Sequence, residues 1–134
     1  MSERYTWCFA CGKDNPKGLH LQFEWTEEGS RYQTTFVAGP EHQSYNGLIH
    51  GGIVSTLLDE VMGGYVYEKT GHPAFTARLE VRFRQPTPIG VPITVGAVVE
   101  KQRGRLYEMK SEVRLPDGTV TAEAQARVML AEGE

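Results

Sequence analysis

Apolar and polar residues alternate through Leu19, Leu21, Phe23 and Trp25, over Gly18 to Thr26, and again through Tyr32, Thr34 and Phe36 before a Gly39-Pro40 turn. A period of two sends successive side chains to opposite faces, so both stretches predict half-buried strands. From Gly51 to about Glu68 the period changes. Ile53, Leu57, Val61 and Tyr65 recur at four-residue spacing with Val54, Leu58 and Met62 beside them, the apolar stripe of one long helix. Period two then returns. Ala77, Leu79, Val81 and Phe83 alternate with charged residues, and Ile93, Val95, Ala97 and Val99 repeat the pattern after the breakers Pro86, Pro88, Gly90 and Pro92. Two more strands are predicted over about Leu106 to Leu115 and, past a Pro116-Asp117-Gly118 turn, Thr119 to Leu130. On the last of these Val120, Ala122, Ala124, Ala126 and Val128 share a face, and their small side chains let a helix lie close. The order ββαββββ is that of an α+β layer architecture, an antiparallel sheet packed on one helix.

Length and charge narrow the classes. A chain of 134 residues supports one core rather than two, so residues 1–134 are read as a single domain with 1–17 as an N-terminal segment carrying Cys8-x-x-Cys11. The net charge of −3 arises from scattered acids and bases, without the basic footprint that nucleic acid or an anionic membrane surface requires. No apolar leader opens the chain, and the run from Ile53 to Val66 is cut by Ser55, Thr56, Asp59, Glu60, Gly63 and Gly64. A cytoplasmic protein with no membrane partner is expected. Two cysteines do not make a disulfide framework. They have the spacing of half a zinc knuckle, but a tetrahedral site needs four ligands and only His20 or His42 remain to contribute, so no metal site is expected.

The candidate chemistry lies where the helix begins. Gly51 and Gly52 follow a Tyr45-Asn46-Gly47 turn and His50, so their N–H groups belong to a first helical turn whose donors have no intrahelical acceptor. The helix dipole adds positive potential, and glycine lets a substrate approach the backbone closely. An oxygen acquiring negative charge is suited to such a place, which is the physics of an oxyanion hole. The competing reading is that two glycines ease a tight loop-to-helix junction. Asp59 falls outside the apolar stripe between the small residues Ser55 and Gly63, leaving room for a ligand or another chain, or simply for solvent. Glu60, flanked by Thr56 and Gly64, is nearly as well placed.

The segment His50-Gly51-Gly52, an apolar helix and an acid nine residues after the histidine resemble the signature of the PaaI-like branch of hot-dog acyl-CoA thioesterases. The resemblance continues in Cys8-Phe9-Ala10-Cys11-Gly12, Asn15-Pro16 and Gly18-Leu19, and in Arg84-Gln85-Pro86 after the third strand, so it covers essentially the whole chain. It implies a hot-dog fold, in which the sheet wraps the long central helix and two subunits pair into a continuous sheet, as a homodimer or a dimer of dimers. It implies hydrolysis of an acyl- or aryl-coenzyme A, with coenzyme A as part of the substrate and no cofactor. Position by position, Asp59 is implied as general base or nucleophile; the roughly 12 Å of helix axis between it and Gly51 predict that the partner subunit supplies it to a shared site. The Gly51 amide, with Gly52 beside it, would polarise the thioester carbonyl, His50 would orient the substrate, and Thr76 would position water. Relatives carry an asparagine or glutamine upstream of the histidine. Asn46 stands four residues before His50 rather than the six of that pattern, an offset that Ser44 occupies. Arg82 and Arg84, and Arg103 in a cluster with Lys101 and Arg105, are either solvated or paired with coenzyme A phosphates, for which arginine forks are suited. His72 reads as a loop residue. The other functions open to this sequence are a non-catalytic acyl-CoA-binding module and a hot-dog hydratase or dehydratase.

Overall fold

A computed structural model describes residues 6–131. Its elements are β1 (Phe23–Thr26), β2 (Arg31–Val37), α1 (Gly51–Thr70), β3 (Ala74–Phe83), β4 (Pro92–Arg103), β5 (Leu106–Arg114) and β6 (Val120–Leu130), with 3-10 turns at Glu27–Gly29 and Pro40–His42. The ββαββββ order is as expected. The strands form one antiparallel six-stranded sheet in the order β1-β2-β4-β5-β6-β3.

The sheet wraps α1 because both surfaces follow the patterns in the sequence. Val54, Leu57, Leu58, Val61, Met62 and Val66 are buried on the helix, meeting Ile93, Val95 and Ala97 of β4, Met109 and Val113 of β5, and Ala122, Ala124, Ala126 and Val128 of β6. The alanines of β6 keep helix and sheet close, and burial of this apolar area is the main favourable contribution to the fold. Trp25 closes one end, packing edge-on against Tyr65 at 4.9 Å between ring centroids. Gly71 ends the helix in the left-handed region at φ 76°, its N–H bonded to the Tyr67 carbonyl. This is the hot-dog arrangement of a sheet around a central helix. Among the described residues, no helix is long and apolar enough to cross a membrane.

Two boundaries differ from expectation. The first strand is shorter than Gly18–Thr26, because Leu19 and Leu21 are buried by a different partner: their N–H groups bond to the carbonyls of Phe9 and Ala10 in the cysteine loop. His20 between them adopts φ 56°, which interrupts an extended strand. The third strand starts earlier, at Ala74 rather than Ala77, and its register with β6 shifts between Thr76 and Arg78. Such a bulge re-aims the side chains beside it, and Thr76 is one of them.

Candidate active site

The loop entering α1 is tied to the body of the protein before the helix begins. Gly47 takes φ 86° in the Tyr45–Leu48 turn, where a residue with a Cβ would be strained. Ile49 N–H bonds to the Thr87 carbonyl, Ile89 N–H to the Gly47 carbonyl, and His50 N–H to the His42 carbonyl at 2.8 Å. His50 caps the helix, its Nδ1 accepting from Gly52 N–H at 2.8 Å. The two glycine amides therefore differ, contrary to the expectation that both are free. Gly52 is occupied by the histidine ring, whereas no acceptor for the Gly51 N–H is found among the described residues. The Phe83 ring stands over this turn, with Cζ at 3.6 Å from where a Gly51 Cβ would lie.

Two turns further along, the helix carries its acids. Asp59 is half-buried and accepts a hydrogen bond of 2.5 Å from the Thr76 hydroxyl on the bulged start of β3. The Ser111 hydroxyl of β5 bonds to the carbonyl of Leu58 at 3.1 Å, anchoring the helix one residue before Asp59. Asp59, Glu60 and Thr76 line a cavity of about 350 Å³ together with Cys8, Cys11, Gly63, Gly64 and Tyr67. Gly63 and Gly64, without side chains to fill it, leave that space open. Burial pushes the Glu60 carboxyl above the usual carboxylate range; a hydrogen bond from the Cys11 thiol opposes the shift and the Asp59 charge adds to it.

The remaining sequence candidates are dispersed. Asn46 and Ser44 are exposed in the turn before the helix. Arg82 and Arg84 lie on the face of the sheet away from α1: Arg82 pairs in register with Glu123, and Arg84 Nε donates to the Glu123 carboxylate at 2.6 Å. Both line a larger cavity of about 700 Å³ with Arg31, Lys110 and Glu112. Arg103 sits in the β4–β5 hairpin and lines neither cavity. His20 bonds to the Asn15 carbonyl, and His42 Nδ1 accepts from Gly39 N–H, so neither joins the cysteines. What the sequence reading missed is that Glu60 does. Cys8 Sγ, Cys11 Sγ and a Glu60 oxygen all lie within 4.8 Å of one another. The one available signal was the position of Glu60 between Thr56 and Gly64, off the apolar stripe.

A helix N-terminus whose Gly51 amide has no acceptor among the described residues, and an acid held by a strand hydroxyl on the same helix, belong to a region that a family model recognises. The model of the thioesterase superfamily matches residues 46–122, more than half of the chain. The chain belongs to the thioesterase superfamily. Within that superfamily it is 28% identical over 109 residues to acyl-coenzyme A thioesterase THEM4 of Bos taurus, a match covering 81% of this chain and 44% of the relative. The chain thus spans less than half the length of the curated relatives it matches. A thioesterase superfamily protein of known crystal structure superposes with a TM-score of 0.82 at 24% identity, covering 94% of this chain and 61% of the other. A Bacillus halodurans protein solved with CoA superposes with a TM-score of 0.75 at 23% identity, covering 87% and 77%. These likenesses establish the hot-dog thioesterase fold.

Proposed function

We propose that this thioesterase superfamily chain hydrolyses the thioester of an acyl- or aryl-coenzyme A to the free acid and coenzyme A, with coenzyme A as part of the substrate and no resident cofactor. The observation that carries this reading is the pairing on one helix of an unoccupied Gly51 amide at the N-terminus with an Asp59 carboxylate fixed by Thr76. Attack on a thioester carbonyl moves negative charge onto its oxygen. The Gly51 N–H and the positive end of the helix dipole oppose that charge, a contribution worth about 10²–10³ in rate per donor. Asp59 acts on the other side of the carbon, removing a proton from water or attacking to form an anhydride that water opens. Thr76 holds the carboxylate in place and stands next to the position of that water. The relationship to acyl-coenzyme A thioesterases and the fold shared with a CoA-bound protein support the substrate class.

The reaction needs a second copy of the chain. At about 1.5 Å rise per residue, Gly51 and Asp59 are roughly 12 Å apart along the axis, whereas donor and base must both lie about 3 Å from the reacting atoms. Antiparallel helices related by a two-fold axis bring Gly51 of one subunit opposite Asp59 of the other, giving two equivalent sites. Strand β3 is suited to make that pairing. It is an edge of the sheet, and Phe75, Leu79 and Phe83 along it are 57%, 39% and 54% exposed. An unpaired edge lined with large apolar side chains is a surface that another strand covers. The proposed unit is therefore a homodimer joined through β3, which a dimer of dimers would repeat. A thiol-release assay with a panel of alkyl- and aryl-CoA substrates tests the activity. Release above background for at least one of them is expected. Background rates throughout, with acyl-CoA binding still seen by calorimetry, would convert the reading to a binding module.

A further inference from the structure

The proposed hydrolysis leaves one cluster unused. Cys8 and Cys11 come from a tight loop, Glu60 comes from the middle of α1, and their ligand atoms converge within 4.8 Å. We propose that these three residues form a binding site for a thiophilic divalent cation of the zinc class, with its fourth coordination position on the side of the cavity that holds Asp59 and Thr76.

The loop has the character of a built site. Gly12 N–H bonds to the Cys8 carbonyl at 2.8 Å, and the Leu19 and Leu21 N–H groups clamp Phe9 and Ala10 from the other side. Ala10 is 3% exposed. Gly12 admits no side chain, since a Cβ there would stand 2.4 Å from the Cys8 nitrogen and the Thr6 carbonyl oxygen. These contacts hold the two thiols on one side of a turn, facing the helix.

Glu60 supplies the second argument. It is half-buried with Asp59 beside it, and both thiols stand against its carboxylate, the Cys8 Sγ at 4.0 Å. Burying a carboxylate beside a second acid is costly. A divalent ion removes that cost while drawing the thiols into their thiolate form, with release of their protons.

The donor set indicates which ion. Two sulfurs disfavour calcium and magnesium, whereas zinc accepts thiolate and carboxylate together. With Zn–S near 2.3 Å and Zn–O near 2.0–2.2 Å, tetrahedral ligand atoms lie about 3.5–3.8 Å apart, so the cluster has only to contract by about 1 Å. Three protein ligands leave one position open, as in zinc sites that bind water or substrate. The bound cation staples the cysteine loop to the helix turn that presents Asp59, and so sets one wall of the cavity.

The site does not rest on the thioesterase reading, and its test reads the metal directly. The reduced full-length chain is titrated with cobalt(II), which reports thiolate ligands by an intense near-ultraviolet charge-transfer band, and with zinc in competition. One cation per chain, a strong charge-transfer band displaced by zinc, and zinc protection of both cysteines from alkylation are expected. Cys11→Ser should weaken the band, and Glu60→Gln should weaken binding by at least the about 10–100-fold that even outer-shell partners contribute, with circular dichroism showing both variants folded. A reduced wild-type chain giving no charge-transfer band, or a Glu60→Gln variant that binds as tightly as wild type, would overturn the site. So would a Cys8–Cys11 disulfide that survives incubation with reduced glutathione at cytosolic concentration. If the variants fail to fold, the wild-type titration and the alkylation measurement decide the question alone.

Discussion

The two regions of α1 that the proposed reaction uses are built differently. At the N-terminus the group on offer is backbone: the Gly51 amide, without an acceptor among the described residues, in a turn that the His50 ring caps through Gly52. Around Asp59, everything is side chain: a carboxylate, the Thr76 hydroxyl that holds it, and small helix residues that leave space. One end offers positive potential, the other a negative group in a half-buried cavity. In the proposed hydrolysis a single thioester carbonyl needs both, and the helix keeps them too far apart for one chain to apply them together. What unites the ends in the proposed dimer is the uncovered edge of β3, whose Phe83 ring lies over Gly51 and whose Thr76 reaches Asp59.

The side-chain end is expected to be the more sensitive to substitution. Asp59→Asn keeps shape and removes basicity, so kcat should fall by about 10²–10⁴-fold, the contribution of a positioned base. Steady-state thiol release on a folded variant measures it, and a fall below tenfold would move the base elsewhere. The backbone end comes next. Gly51→Pro deletes the one amide proton and should cost about 10²–10³ in kcat. It is a mild change for the fold: Gly51 is the first helical residue, where proline is favoured. His50 already has the φ −59° and ψ 135° that a residue before proline prefers, and an added Cβ meets Phe83 at an ordinary 3.6 Å. A melting curve close to wild type with activity lost would assign the loss to the amide. The smallest effect is expected at Thr76→Val. Loss of a hydrogen bond to a charged group is worth about 1.5 kcal/mol at the low end, or about tenfold in rate. Thr76→Ser, which keeps the hydroxyl, should recover most of it, and equal losses in both variants would mean that strand packing rather than the hydroxyl matters.

The same contrast explains what could be read from the sequence. The N-terminal end is local: a turn, a histidine and two glycines within eight residues disclose a helix start and its spare donors, and only the loss of Gly52 to the His50 ring escaped. The period-two and period-four patterns likewise disclosed six strands and one helix, because one face of each of those elements meets a continuous apolar layer. The acid end depends on distant contacts. Nothing near Asp59 says that Thr76 will donate to it, because that bond needs β3 to start at Ala74 and bulge. Nor does the sequence around Glu60 show that Cys8, 52 positions earlier, will lie against it. The strand expected from Gly18 failed for the same reason. Its alternation was real, but the partner at Leu19 and Leu21 is the cysteine loop rather than the sheet. Arg82 and Arg84 alternate correctly for a strand, yet alternation places them on the far face, paired with Glu123 rather than beside the carboxylate.

The central claim, that the amide and the acid acting on one carbonyl come from different chains, is tested most directly by complementation. Asp59→Asn and Gly51→Pro proteins, each shown to fold and each inactive alone, are unfolded together, refolded and assayed, with mass spectrometry counting the heterodimers. A shared site leaves each heterodimer with one site carrying both defects and one carrying neither, so activity should return to about half of the wild-type value per heterodimer. A mixture rich in heterodimers but no more active than either parent would contradict the account, because every site would then belong to one chain.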